Sequence, residues 1–182
     1  SGTVTVSRAA RSSEFPARFQ LVAAMNPCPC GWAGDPSGRC RCSPEHIRRY
    51  RARISGPLMD RIDLHIEVPR LPPQDLRPDA PNGEATVFIR ARVEQARNVQ
   101  LQRAGKANAQ LGQAETMASC RLQDRDQALL ERAIERLQLS ARSMHRILRV
   151  ARTIADLAGA ESIATAHLTE ALGNLVDNAC KW

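Results

Sequence analysis

The 182-residue chain is 25% charged and 3% aromatic and carries a net charge of +7. Its length allows one compact domain or a small domain with an appendage; with no run near ~18 apolar residues and no hydrophobic signal core, it reads as a soluble, cytoplasmic protein with no membrane partner. The few aromatics argue against base stacking on an aromatic platform, and six cysteines without a signal peptide speak for metal binding or free thiols over a disulfide framework.

Ser1-Gly2-Thr3 opens without an initiator Met and passes at once into alternation, which suggests a piece of a longer protein. Thr3 to Ser7 alternates polar and apolar residues and predicts a half-exposed strand, while Arg8 to Ser13 is polar and turn-like. Phe19 to Met25, closed by Asn26-Pro27, has the length and apolar character of a buried central strand. Ser43-Pro44-Glu45 is a helix start, with a hydroxyl cap, a proline in the first turn and an acid near the positive helix end; the helix is expected to reach about Ile54. Ser55-Gly56-Pro57 breaks it and permits a short helix through Asp60. Ile62 to Val68 then alternates strictly, a strand with Ile62, Leu64, Ile66 and Val68 on one face.

From Pro69 to Gly83 the chain holds five prolines and little periodicity, and residues 70–83 read as a linker. Beyond it the pattern is helical. Glu84 to Ala104 is stopped by Gly105, and Asp124 to Leu137 places Leu129, Leu130, Ala133, Ile134 and Leu137 on one side. Ser140 caps a helix running to Leu157 before Gly159, and Thr165 caps another with Leu168, Ala171, Leu172 and Leu175 on one side. The expected architecture is mixed: an α/β piece over 1–69 and an all-helical piece over 84–182. Two strands do not make a self-sufficient sheet, so the first piece is expected to complete a larger sheet domain.

The most specific chemistry lies in two Cys-x-Cys pairs, Cys28-Pro29-Cys30 and Cys40-Arg41-Cys42, on either side of a turn-rich loop. Four thiolates gathered by a tight loop suit a structural Zn²⁺. The spacing departs from the usual Cys-x₂-Cys knuckle, and four reduced thiols without metal are the other reading. His46 is near enough in sequence to compete as a ligand, though a helix-surface position suits it as well. Cys120 and Cys180 sit in helical patterns and read as small buried or idle residues. Between Arg39 and Arg53 six arginines (Arg39, Arg41, Arg48, Arg49, Arg51, Arg53) face one acid, Glu45, which is a footprint for phosphate or an acidic partner. A solvated face or an intersubunit ion-pair surface is the alternative.

Three strings in order, Phe19 to Gly31 (FQLVAAMNPCPCG), Arg53 to His65 (RISGPLMDRIDLH) and Leu139 to Leu157, closely resemble the magnesium-chelatase-like AAA+ ATPases of the ComM/YifB type. The resemblance covers nearly the whole chain. It implies the C-terminal part of a P-loop AAA+ α/β core followed by an all-α helical lid, in a protein that uses ATP and Mg²⁺ and assembles as a ring, a hexamer. Asn26 matches the sensor-1 position, where an amide orients the attacking water. Arg61 corresponds to the arginine finger inserted into a neighbouring subunit's ATP site, and Arg142 to the sensor-2 arginine of the lid. The opening strand is similar to the return strand of a DNA-touching hairpin, with Arg8 as first candidate for the phosphate contact and Arg11 as second; Arg48 and Arg49 join them as DNA-binding candidates. The four-cysteine loop sets the chain apart from the chelatase subunits proper.

Taken without the family, Asn26 is a turn former before proline, Arg61 an ordinary ion-pair residue with Asp60 and Asp63 holding it, and Arg8 a solvent-facing turn arginine. Arg142 is then a helix-surface arginine that the sequence does not rank above Arg146 or Arg149. No Gly-x-x-x-x-Gly-Lys-Ser/Thr string and no acidic Walker-B strand end occurs, so the phosphate cradle and Mg²⁺ ligands are expected upstream of Ser1 and this chain alone is expected to be inactive as an ATPase. The leading reading is the C-terminal part of a DNA-translocating motor acting on single-stranded or branched DNA in natural transformation or recombination. A chelatase-type motor remodelling a protein partner and a zinc-stabilised nucleic-acid-binding module are the alternatives.

Overall fold

The computed structural model of the chain describes residues 2–8, 11–59 and 61–179, and side chains through residue 174. The expectations for Asp60, Cys180 and the side chain of Leu175 fall outside the described residues. The chain divides into two compact units, Ser1–Arg53 and Ile54–Trp182.

In the first unit, β1 (Thr3–Arg8) pairs antiparallel with β2 (Arg11–Pro16), in a register that sets Val4 against Phe15, Val6 against Ser13 and Arg8 against Arg11. A strand forms at Thr3 as expected, but all of its residues are exposed, Val4 and Val6 included, where a half-exposed strand was expected. The turn expected over Arg8 to Ser13 does not hold for Arg8, Arg11, Ser12 and Ser13, which belong to the ladder, where the Ser7 and Ser12 hydroxyls meet at 3.2 Å. Residues 17–43 have no helix or strand, and α1 (Pro44–Arg51) follows. Ser43 caps α1 as its sequence predicts, accepting from the His46 N–H at 3.2 Å. The helix stops at Arg51 rather than near Ile54, as Ala52 and Arg53 turn back onto Arg48 and Tyr50 carbonyls.

The expected strand Phe19–Met25 is not formed. Phe19 is 78% and Val22 84% exposed, and no strand lies beside this segment among the described residues. A strand is held by a neighbour's N–H and C=O groups and by a face to pack on, so apolar composition alone leaves an extended chain. The same correction applies in the second unit to Ile62–Val68: its alternation is strand-like, but no strand forms over it, and Ile66 and Val68 are exposed. The fold class is mixed, with the β1–β2 hairpin as its sheet among the described residues.

The second unit opens with α2 (Gly56–Met59). The Pro-rich stretch contains one 3₁₀ turn, Pro73–Leu76, and is exposed. The helical body comprises α3 (Thr86–Ala104), a 3₁₀ turn (Asn108–Gln110), α4 (Gln113–Ser119), α5 (Asp124–Leu137), α6 (Ala141–Leu157) and α7 (Thr165–Ala179). Gly105 ends α3 at φ 66°, a left-handed conformation in which its N–H reaches the Leu101 carbonyl. Ser140 caps α6, its hydroxyl accepting from the Ser143 N–H at 3.2 Å. Thr165 is the first residue of α7 rather than its cap; the preceding Ala164 N–H donates to His167 Nδ1, and the Thr165 hydroxyl donates to buried Asp126 at 2.5 Å.

α6 is the central helix, packed against α3, α4 and α7. One core holds Cys120, Leu130, Ile147, Leu148, Ala151, Ala155, Ile163, Leu168 and Ala171. Cys120 is the small buried residue expected, its thiol pushed up to about 11 by burial. Beside the core lies a buried polar cluster on Asp156. Its carboxylate accepts from Arg103 (2.8 and 2.7 Å), Asn108 (2.8 Å) and Arg152 (3.0 Å), while Arg152 also ties down the carbonyls of Ala160 and Glu161 after α6.

Candidate functional site

The cysteine loop is built from turns. Gly31, Gly34 and Gly38 take φ of 80°, 84° and 66°, where a side chain would be strained, and Asp35 closes a turn by accepting from the Ser37 N–H at 2.7 Å. This folding-back brings Cys28, Cys30, Cys40 and Cys42 together with all four sulfurs within 4.8 Å of one another. The sulfur separations of 3.3 Å (Cys28–Cys30), 3.7 Å (Cys30–Cys40) and 3.9 Å (Cys28–Cys40) bracket the ~3.8 Å edge of a tetrahedron with ~2.3 Å metal–sulfur bonds. Cys28 is buried, and the Ala33 N–H points at its sulfur at 3.3 Å. His46 is exposed at the start of α1 and stands outside the cluster.

The thiols divide in acidity for a physical reason. The Arg41 and Trp32 N–H groups draw Cys30 down to about 6. At Cys28 desolvation opposes ionisation, but N–H groups of Ala33, Trp32 and Cys30 hold it below the usual thiol value. At Cys42 the N–H of Cys30 favours the thiolate, yet the neighbouring thiols and burial outweigh it and push the group up to about 11. Cys40, favoured by the Cys42 N–H, is likewise raised by burial and its neighbours. Four thiolates repel at this distance, and a divalent cation at their centre relieves that repulsion. The donor set and spacing are such that these four residues could hold a metal ion.

The loop and α1 are joined at both ends. Cys42 leads into the Ser43 cap, and at the far end of α1 Arg51 Nε donates to the carbonyl of Pro27, the residue before Cys28, at 3.2 Å. Ile47, Tyr50 and Arg51 form the inner side of α1, leaving Arg48 and Arg49 exposed, the latter paired with Glu45 at 2.9 Å. Arg39 lies over the Trp32 ring, 5.0 Å from its centre. Asn26 is exposed in a shallow cleft with Ala24, Met25 and Tyr50. Arg8 and Arg11 are register partners at one end of the β1–β2 ladder, both exposed.

In the second unit the α6 arginines separate into distinct roles. Arg146 is buried, its Nε donating to Asp63 at 2.8 Å and another guanidinium nitrogen to the Ile62 carbonyl. Asp63 therefore holds Arg146, which corrects the expectation that it would hold Arg61. Arg61 is exposed and donates to the Pro57 carbonyl at 2.5 Å. Arg149 donates to the carbonyl of Leu111 at 3.2 Å. Arg142 is exposed and has no hydrogen-bond partner among the described residues. Arg142 and Arg149 share an open cleft between α4 and α6 with His145, Gln113 and Thr116, and the buried His145 Nδ1 has no partner among the described residues. Sequence reasoning passed over His145; the signal was its place three residues after Arg142 and four before Arg149, on one helix face. Asn26 belongs to the first unit, Arg61 and Arg142 to the second.

Two family models match the chain: "Magnesium chelatase, subunit ChlI" over residues 1–76 and "Magnesium chelatase, subunit ChlI C-terminal" over residues 83–174. Competence protein ComM of Haemophilus influenzae is 49% identical over 174 residues, covering 95% of this chain and 34% of that protein. The YifB proteins of Escherichia coli and Salmonella typhimurium are each 43% identical over 173 residues, again 94% of this chain and 34% of theirs. The chain thus spans about a third of the length of the relatives it matches. Among the described residues no helix is long and apolar enough to cross a membrane.

Proposed function

The chain belongs to the magnesium-chelatase-like proteins of the ComM/YifB type, and on that premise we propose that it is the C-terminal part of an ATP-driven, ring-forming AAA+ motor that moves on DNA, with the cysteine loop as a structural Zn²⁺ site. The observation that carries the nucleotide part is the α4–α6 cleft. Arg146 and Arg149 are held by protein carbonyls and Asp63, whereas Arg142 is exposed and uncommitted among the described residues at the cleft's edge. That makes Arg142 the lid arginine available to an ATP phosphate, the choice its sequence position left open. Arg61, at a segment that Arg146 fixes to α6, serves as the finger on a neighbouring subunit's ATP, and Asn26 orients the attacking water. The DNA part rests on the pairing of Arg8 with Arg11 at the end of the β1–β2 ladder and on the similarity to a competence protein. Zn²⁺ would be held by Cys28, Cys30, Cys40 and Cys42 and would supply rigidity.

The test is ATP turnover by the full-length protein with and without single-stranded, duplex and branched DNA. DNA is expected to stimulate turnover; Arg61→Ala is expected to abolish the stimulation, and mixing with subunits that carry an intact finger but a dead ATP site of their own is expected to restore it. Turnover indifferent to every DNA would instead favour a motor acting on a protein partner. Turnover unchanged by both Arg61→Ala and Arg142→Ala would overturn the assignment of these residues.

A further inference from the structure

Nearly all the net charge of the protein resides on its smaller unit. Residues 1–53 contain nine arginines against three acids, Glu14, Asp35 and Glu45, so that +6 of the chain's +7 falls there. Two of these arginines, Arg8 and Arg11, pair at the end of the β1–β2 ladder, but most follow from the cysteine loop onward. Arg51 is committed to the Pro27 carbonyl and Arg49 to Glu45. Arg39, Arg41, Arg48 and Arg53 are exposed and have no acidic partner among the described residues. The sequence thus places four uncompensated guanidinium groups within fifteen residues, on the cysteine loop, on α1 and just after it.

We propose that the cysteine loop and α1 form a metal-templated grip on the phosphate backbone of nucleic acid, with Arg39, Arg41, Arg48 and Arg53 as its contacts, separate from the hairpin arginines. The covalent layout ties the grip to the thiols. Arg39 and Arg41 are the immediate neighbours of Cys40, and Arg41 lends its own N–H to the Cys30 sulfur. Cys42 is joined to α1 through the Ser43 cap, and Arg51 fastens the other end of α1 beside Cys28. An ion binding all four sulfurs fixes both arginine-bearing segments at once; without it they are joined by a few turn hydrogen bonds. Trp32 has its ring covered by Arg39, so it steadies a cation and is not offered to a base. The exposed side of α1 is polar, and it lacks the apolar centre that a stable protein–protein interface needs. Phosphates require only charge and donor forks, which favours nucleic acid over an acidic protein and implies binding without sequence readout.

This inference rests on the DNA part of the proposed function, and its test separates the two. Zinc-replete protein is titrated against a labelled single-stranded oligonucleotide of mixed sequence over a range of salt, with metal content measured on the same samples. Each phosphate contact contributes about 0.7 to the slope of log affinity against log salt. The triple variant Arg39→Ala, Arg41→Ala, Arg48→Ala is therefore expected to flatten the slope by about 2, equally for unrelated sequences. Chelation is expected to remove the metal and a similar increment of binding while the thermal transition of the helical unit persists, and returned zinc is expected to restore both. In chelated protein the triple substitution is expected to change little further. A triple variant with unaltered slope, while Arg8→Ala with Arg11→Ala weakens binding, would sink the metal-loop grip and leave the hairpin reading standing. No oligonucleotide binding by any form would sink both. Polyglutamate competing as strongly as the oligonucleotide, or full binding after metal loss, would also overturn the proposal.

Discussion

Asp156 offers the sharpest test of how the helical unit is held together. Its side chain is fully enclosed and accepts four hydrogen bonds from three donors: two from Arg103, one from Asn108 and one from Arg152. Asp156→Asn keeps the volume but turns one acceptor into a donor facing donors, and removes the only charge opposing two guanidinium groups among the described partners. Two hydrogen bonds between charged groups are lost at about 1.5–3 kcal/mol each. Arg152, with 3% of its side chain exposed, is left buried without a counter-charge, whereas Arg103 at 25% recovers some water. The expected cost is about 3–5 kcal/mol, the range for breaking a buried charge network from one side. In urea unfolding followed by helical circular dichroism, that is a fall in midpoint of about 2 M for a slope of ~2 kcal/mol/M.

The pH dependence of that cost has a definite sign. Burial opposes ionisation of Asp156, but Arg103, Asn108 and the charge of Arg152 outweigh it and hold the carboxyl below its usual range. A carboxyl depressed by folding contributes stability that is fully present above its unfolded value near ~4 and is lost as pH falls through the lower folded value. The gap between Asp156 and the variant should therefore be constant from about pH 5 to 8 and close below about pH 4. A midpoint shift under about 0.5 M at unchanged slope, or a gap that widens in acid, would refute the account.

Two further substitutions probe other levels of the structure. Ile147→Ala, at a fully buried position in the α6 core, should cost about 2–5 kcal/mol in the same urea assay, and a cost under about 1 kcal/mol would mean that the packing around α6 is not as described. Arg146→Ala should release the Ile62–Asp63 segment from α6, making tryptic cleavage after Arg61 about tenfold faster or more under native conditions; an unchanged cleavage rate would show that other contacts hold that segment.

What the amino-acid string disclosed follows the range of the forces involved. α5 runs over Asp124–Leu137 and α6 starts from Ser140 as read, because caps, periodicity and i→i−4 bonds all lie within the segment itself. The cysteine cluster was legible for the same reason: two short pairs and turn residues close their own loop. Phe19–Met25 and Ile62–Val68 were not, since a strand depends on a ladder partner that its own sequence does not contain. α4 and the Asn108–Gln110 turn went unread because residues 105–123 lack a strong apolar period. Gly112 starts α4 with help from Glu115, whose carboxylate reaches back to the Gly112 N–H at 2.7 Å, a signal weaker than a serine or aspartate cap.

The arginines of α6 show where residue type stops being informative and position takes over. Arg142, Arg146, Arg149 and Arg152 share one helix, and helical periodicity alone would place them together on its polar side. What distinguishes them is the material laid over that side. Asn108 and its turn meet α6 near Thr153 and Asp156, and Arg152 is buried there with its charge opposed by Asp156 and its remaining nitrogens spent on the carbonyls of Ala160 and Glu161. One turn earlier, Leu111 offers a carbonyl to Arg149. Arg146 is covered by the Ile62–Asp63 segment, brought from 83 residues away. Only at Arg142 does the covering chain give way to an open cleft, where a guanidinium remains to be satisfied by something other than this unit. Whether an arginine of α6 is committed within the unit or left exposed is thus decided by which non-local segment reaches it. Arg149→Ala should therefore lower the urea midpoint, by loosening the α4 side of the cleft, whereas Arg142→Ala should leave it unchanged; equal shifts for the two would refute this division.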